Sequence, residues 1–173
     1  MEITLRYMAL EHWPRPDGWT VVGTVDGVPL AYDAERRPHA LAEGSPVALD
    51  PAEVNRALVE AVDVAGMRVW PGGWTHALPL AFGMNRRTTQ RDRIERNGLH
   101  PGILRALGDL ASDPDAAGIG AVLSALAAYA DTYGGSGVHA ALDDAERTAM
   151  NALAVLRRVR RDPTLKNREG GLA

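Results

Sequence analysis

Arginine side chains are concentrated in residues 85–97 around a single glutamine, Gln90, and these residue types and their spacing suit contacts with nucleic acid. This segment carries five arginines against two acidic residues. Arginine can bind the edge of guanine through two hydrogen bonds, and glutamine can bind adenine in the same way. Asn85 can cap a helix and leave free backbone N–H groups close to a phosphate. The candidate DNA-contacting residues are Asn85, Arg86, Arg87, Thr88, Gln90, Arg91 and Arg93.

Three helices are predicted to position these side chains, at residues 74–82, 86–97 and 101–111. Gly83 lies in the turn between the first two, and Met84 is the apolar residue expected to pack that turn onto the core. Two helices joined by a short turn that contains glycine are typical of the helix-turn-helix, whose second helix enters the major groove of DNA. We therefore expect a helix-turn-helix at residues 75–97.

The same stretch resembles phage and plasmid helix-turn-helix repressors, including the regulators associated with anti-CRISPR operons. Those sequences often read Gly-Val-Asn-x-Arg-Thr-Val-Gln-Arg-Trp, followed after a short gap by Pro-Pro-Gly and another helix. The residues that match are Gly83, Asn85, Arg87, Thr88, Gln90 and Arg91, with Pro101 and Gly102 at about the same distance. The resemblance covers residues 74–107. It implies a repressor that binds double-stranded DNA.

The segment also departs from the repressor pattern at three positions. Thr89 stands where those sequences have a buried Val or Ile, and Asp92 stands where they usually have Trp or another apolar residue. Pro79 replaces the usual Ala inside the first helix, where proline removes a backbone hydrogen bond. Ile94 is the neighbouring residue that we expect to supply the missing apolar anchor.

The N-terminal part of the chain predicts a small β-rich module at residues 1–70, and therefore an α+β fold class. Asp26-Gly27 lies between two apolar runs and is a strong hairpin signal, because both turn positions favour positive φ. Asp50-Pro51 is a helix start, and Gly66 is expected to end that helix. Residues 67–70 are predicted to form one more strand. The break at residues 71–73 is the expected domain boundary.

An all-helical domain at residues 74–161 is predicted after that break, with a flexible tail at residues 162–173. Its last two helices are expected at residues 114–133 and Val138–Arg161. Along the final helix, small and apolar residues recur with heptad spacing. They are Leu142, Ala145, Ala149, Ala152, Leu156 and Val159. This seam can form a homodimer, or it can pack on residues 114–133 of the same chain, and both alternatives stay open.

Composition narrows the function classes. Cysteine is absent from the 173 residues, and the five histidines have no metal-ligand spacing, so no metal or other cofactor is expected. Neither a nucleophile elbow nor a phosphate loop is recognisable, and we expect no enzymatic activity. The N-terminus does not read as a signal peptide, and no apolar run is long enough to span a membrane. We therefore expect a cytoplasmic protein without a membrane partner.

Charge is distributed unevenly along the chain. Residues 85–97 carry a net charge of +3 and residues 157–168 a net charge of +5, so the rest carries −11 within a total of −3. Basic patches on an acidic body favour a DNA-binding regulator from a phage or other mobile element. The alternative is a non-enzymatic interaction protein, either a virion component or an inhibitor of a host complex.

Overall fold

The computed structural model describes residues 1–9, 15–42, 45–134 and 137–161. Within these ranges five strands precede six α-helices, which confirms the α+β fold class. The proposed tail at residues 162–173 lies outside the described residues. In the part of the chain that is described, no helix is both long enough and apolar enough to cross a membrane.

The strands form one antiparallel sheet in which each strand pairs with the next along the chain. They are β1 (Ile3–Leu5), β2 (Thr20–Val25), β3 (Val28–Tyr32), β4 (Pro38–Ala42) and β5 (Ser45–Ala48). The predicted hairpin at Asp26-Gly27 is confirmed, since these residues join β2 to β3 with φ values of 48° and 85°. Positive φ at both positions is the backbone geometry that twists a tight turn to match its strands.

The helices follow the sheet in sequence. They are α1 (Pro51–Val69), α2 (Trp74–Ala81), α3 (Arg91–Asn97), α4 (Pro101–Ser112), α5 (Ala116–Tyr133) and α6 (Val138–Arg161). The predicted start of α1 is confirmed, because the Asp50 carboxylate accepts a hydrogen bond from the Ala52 backbone N–H at 2.7 Å and Pro51 occupies the first turn. A short 3-10 helix, Arg86–Thr89, lies between α2 and α3.

Two predictions about the end of α1 are wrong. The helix does not stop at Gly66, and residues 67–70 do not form a strand, because α1 continues to Val69. Gly66 is instead a point of close packing: a Cβ added there would lie 2.6 Å from Cγ of Trp74. The glycine therefore lets the indole ring at the start of α2 rest directly on α1.

The sheet is covered differently on its two faces. One face contributes to the main core, where α1 and α4 pack against β1 and β2 and the buried side chains of α2 and α3 join them. The other face carries a smaller cluster of Met8, Val21 and Ala31, with Trp19 and Leu41 packed against it. One layer of helices thus supports both the sheet and the segment that contains the candidate site.

The structure divides the chain into two compact units, Met1–Ser124 and Ala125–Ala173. The predicted boundary at residues 71–73 falls inside the first unit. The reason is that side chains on both sides of that break, such as Leu58 of α1 and Leu78 of α2, share one hydrophobic core. A Pro-Gly-Gly break here turns the chain between two packed helices instead of separating two domains.

Within the second unit, the first half of α6 is partly covered and its second half is exposed. Ala141 and Ala145 are buried, and the Thr148 hydroxyl donates a hydrogen bond to the Tyr129 hydroxyl at 3.0 Å. All residues from 150 to 161 are exposed. Of the predicted seam, Ala145 is buried and Ala149 is partly covered, whereas the other four residues, Leu142, Ala152, Leu156 and Val159, are exposed.

Candidate nucleic-acid interface

The predicted recognition helix at residues 86–97 is divided in the structure. Residues Arg86–Thr89 form the 3-10 helix, Gln90 is extended with ψ of 140°, and only then does α3 begin. The hydroxyl groups of Thr88 and Thr89 donate to the backbone carbonyls of Asn85 and Arg86, at 2.6 and 3.0 Å. Such local bonds compete with a continuous helix, and they explain why the prediction of one uninterrupted helix was wrong.

The turn that precedes the 3-10 helix has the predicted chemistry. Gly83 has a φ of 60°, a conformation that favours glycine. The Met84 backbone N–H donates to the Pro79 carbonyl at 2.8 Å, and the Met84 side chain packs against the main core as expected. The Asn85 carboxamide oxygen accepts from the Arg87 backbone N–H at 2.9 Å, so Asn85 is a cap, although the helix it caps is the 3-10 helix.

Two buried side chains fix the segment to the core. Ile94 is fully buried in the main core, which confirms that it supplies the apolar anchor of α3. Thr89 is also buried, and its hydroxyl is satisfied by the carbonyl of Arg86. The departures from the repressor pattern at this point are therefore compatible with a packed segment.

Asp63 on α1 holds both α2 and α3. Its Oδ1 atom accepts a hydrogen bond from the Trp74 indole N–H at 2.8 Å and lies 2.9 Å from the guanidinium of Arg91. A single carboxylate thus orients the first residue of α2 and the first residue of α3. Sequence reasoning missed Asp63, because an acidic residue in the middle of a helix gives no indication of its partners elsewhere in the chain.

The remaining candidate side chains lie at the surface. Residues 85–88 and Gln90, Arg91 and Arg93 are all exposed. Arg86 lies 3.3 Å from Nε2 of His76 on α2. Arg91 is paired with Asp63 but keeps 65% of its side chain exposed. Within the described ranges, Arg87 and Arg93 form no ion pair with an acidic side chain.

The structure thus brings the seven predicted residues into one continuous segment on a shared support, but gives them different roles. Asn85 and Thr88 shape the turn, and Arg91 also fastens α3 to α1. Arg86, Arg87, Gln90 and Arg93 present their polar groups to solvent. Exposed guanidinium groups are able to bind phosphate oxygens or base edges.

A second polar cluster lies on the sheet. The Asp33 carboxylate accepts hydrogen bonds from the backbone N–H and the Nε of Arg37, at 2.8 and 2.7 Å, and lies 3.2 Å from Nε2 of His39. Burial of the carboxyl group opposes ionisation, but the hydrogen bonds from Arg37 and His39 outweigh it and lower the pKa of Asp33 to about 2. These contacts fasten the turn between β3 and β4.

Groups of three or more potential metal-ligating side chains are not found among residues 1–9, 15–42, 45–134 and 137–161. Comparison with known proteins adds no relative: no family model, curated protein or solved structure matches the chain. The function is therefore inferred from the geometry and charge of the surface described above.

Proposed function

We propose that the protein is a DNA-binding transcriptional regulator that acts in the cytoplasm and represses genes of a phage or another mobile element. The observation that carries this proposal is the exposed arginine segment around the turn that follows α2. Arg87 and Arg93 have no acidic partner within the described chain, while Ile94 and Asp63 hold their support in place. Free guanidinium groups on a fixed support suit binding to a phosphate backbone.

Each exposed side chain has a proposed role in this complex. Arg86, Arg87 and Gln90 follow directly after the turn and would contact base edges in the major groove. Arg93, one turn further along, would contact a backbone phosphate. Arg91 would reach a phosphate through its exposed side while Asp63 holds it on α1. Base contacts set sequence preference, whereas phosphate contacts set overall affinity.

A homodimer is the second part of the proposal. Two copies of a helix-turn-helix bind half-sites about 34 Å apart, which raises both affinity and specificity. The exposed second half of α6 supplies a candidate contact, since Leu153, Leu156 and Val159 are each more than one third exposed. Pairing this helix with a second copy would cover these side chains.

The test is a fluorescence-anisotropy titration of the full-length chain with the DNA that lies upstream of its own coding sequence, at several salt concentrations. We expect affinity to fall linearly on a log–log plot against salt, because bound cations are released from the backbone. Gln90→Ala should relax the preference at one base pair by about 1–3 kcal/mol. Arg93→Ala should weaken all sequences alike and reduce the salt slope by about 1.

Arg68→Ala is the matched control, because Arg68 is an exposed arginine on α1, away from the turn. This variant should keep wild-type affinity and salt slope. Upstream DNA that shows no salt-dependent binding would contradict the proposed function, and so would equal losses in the Arg93 and Arg68 variants.

An interaction protein, either a virion component or an inhibitor of a host complex, is the second candidate function. It is favoured by the exposed apolar residues of α6, which also suit a different protein partner. The two functions differ in which substitutions abolish activity. Loss of function on changing α6, with no effect of changing Arg87 or Arg93, would favour the interaction protein.

A further inference from the structure

A cavity of about 370 Å³ opens at the surface of the first compact unit, beside the turn that carries the candidate DNA contacts. Its walls come from β3, the turn that follows it, the first turns of α1, the 3-10 helix, the end of α3 and the start of α4. The volume is within the range of small-molecule pockets in proteins. The cavity is therefore large enough for a compact organic ligand.

The polar side chains of this cavity favour a negatively charged ligand. Arg36 and His100 line it together with the amides of Asn55 and Asn97, whereas none of the residues that line it is acidic. In the described part of the chain, Arg36 forms no ion pair. A cavity with donors and no carboxylate, in a chain of net charge −3, is a local reversal of the overall charge.

Tyr32 is a buried residue that lines the cavity. The residue is only 5% exposed, and its hydroxyl has no hydrogen-bond partner among the described residues. Burial raises the pKa of the Tyr32 phenol, so the group stays protonated and can donate. An unsatisfied buried hydroxyl is costly, but this one is out of reach of a ligand in this structure, because its oxygen has almost no accessible surface.

His100 can supply a further hydrogen-bond donor, because its neutral ring carries the proton on Nε2. Its Nδ1 atom accepts a hydrogen bond from the Gly102 backbone N–H at 3.1 Å, at the start of α4. In the neutral ring the proton must then lie on Nε2, which is left as a donor. The hydrogen bond that caps α4 therefore also determines which nitrogen can serve a ligand.

We propose that this cavity binds a small organic anion. Its carboxylate or phosphate group pairs with the Arg36 guanidinium, and its apolar body lies against Met84, Leu99 and Ile103. A guanidinium binds such groups through two parallel hydrogen bonds, which favours Arg36 as the main anchor. The proposal goes beyond DNA binding and does not depend on it.

Titration of the isotopically labelled full-length protein with two probes, benzoate and phenyl phosphate, tests this inference by NMR. Benzamide is the control ligand, since it has the same ring without the charge. We expect the backbone signals of Thr88 and Gly98 to shift and saturate, with dissociation constants on the order of 1 mM for probes of this size. Benzamide should bind at least about tenfold more weakly.

Two matched variants test whether Arg36 is the main anion-binding residue of the cavity. Arg36→Gln should weaken both anionic probes about tenfold or more, because it removes the charge while keeping most of the side-chain length. Arg68→Gln changes an exposed arginine outside this cavity and should leave binding unchanged. The wild-type comparison of benzoate with benzamide remains decisive even if the Arg36 variant fails to fold.

Several results would overturn the inference. They are the absence of saturable shifts with either anion, equal binding of benzamide and benzoate, and unchanged anion binding in Arg36→Gln. Loss of DNA affinity in Arg36→Gln without binding of either free probe would assign the cavity to a backbone phosphate and also overturn it. Failure of DNA binding alongside saturable anion binding would contradict only the proposed function.

Discussion

The arginine segment at residues 85–97 and the end of α6 are both rich in arginine but have different supports. The first segment is anchored by two of its own buried side chains, Ile94 and Thr89, and by Asp63 on α1. Residues 150–161 of α6 are all exposed, apolar and basic side chains alike. Charge composition alone would treat these two segments as equivalent. The contacts behind them show that only the first is held in a fixed position by the described chain.

The largest effect that tests this comparison is expected at Ile94. Replacing it with alanine should lower the free energy of unfolding by about 2–5 kcal/mol, because the removed atoms leave a cavity in the main core. Met150→Ala on α6 is the control. It should change the free energy of unfolding by less than about 0.5 kcal/mol, since Met150 is exposed. Chemical denaturation of both variants measures the difference. Equal losses would remove the distinction between the two segments.

Asp63 is expected to give the next largest effect. Asp63→Ala removes the acceptor shared by Trp74 and Arg91 and should cost about 1 kcal/mol, a modest value because water can partly replace a half-exposed carboxylate. Glu60→Ala, at an exposed acid on the same helix, should cost less. The indole N–H signal of Trp74 should move in the Asp63 variant alone. An unchanged signal would mean that this carboxylate does not orient α2.

Much of the fold, but less of the site, could be predicted from the sequence. The hairpin at Asp26-Gly27 and the start of α1 at Asp50 were predictable because they depend on adjacent residues. The close packing of Trp74 on Gly66, inside a helix that continues to Val69, was not, because it is a contact between two different helices. Sequence patterns report local preferences, whereas these outcomes depend on distant contacts.

The candidate site, too, was predictable from the sequence only where it depends on neighbouring residues. Asn85 as a cap and Ile94 as an anchor followed from spacing along the chain. The break at Gln90 did not, because side-chain bonds of the two preceding threonines favour a 3-10 helix over an α-helix. The role of Asp63 required knowing that α1 lies beside α3. Local signals therefore located the segment, and tertiary packing determined its shape.

The difference between anchored and exposed charges should also appear in how the stability of the protein depends on pH. Since the folded-state pKa of Asp33 is lowered to about 2, its contribution to stability is present above its ordinary value near 4. That contribution is lost as the pH falls towards 2. Asp33→Asn should therefore show a smaller decrease in melting temperature between pH 4 and pH 2 than the wild type.

Asp144→Asn is the matched control in the second unit, because Asp144 pairs within α6 with Arg147, whose side chain is mostly exposed. An ion pair within one helix at the surface contributes little to stability. Thermal melts at several pH values should therefore show a wild-type profile for this variant. A steeper acid dependence in Asp33→Asn than in the wild type would contradict the account of the Asp33 cluster.

The smallest effect on the stability of the single chain is expected at Leu156, and its effect on assembly is the more informative one. Leu156 is 49% exposed and lies on the same helical face as the buried Ala145. Leu156→Glu should change the free energy of unfolding by less than about 0.5 kcal/mol, as substitutions at exposed positions do.

If α6 pairs with a second copy, the variant should be a folded monomer with weaker DNA binding. Light scattering and a thermal melt on the same samples separate these results. A monomeric wild type would contradict the proposed homodimer, and early unfolding of Leu156→Glu would mean that the seam packs within one chain.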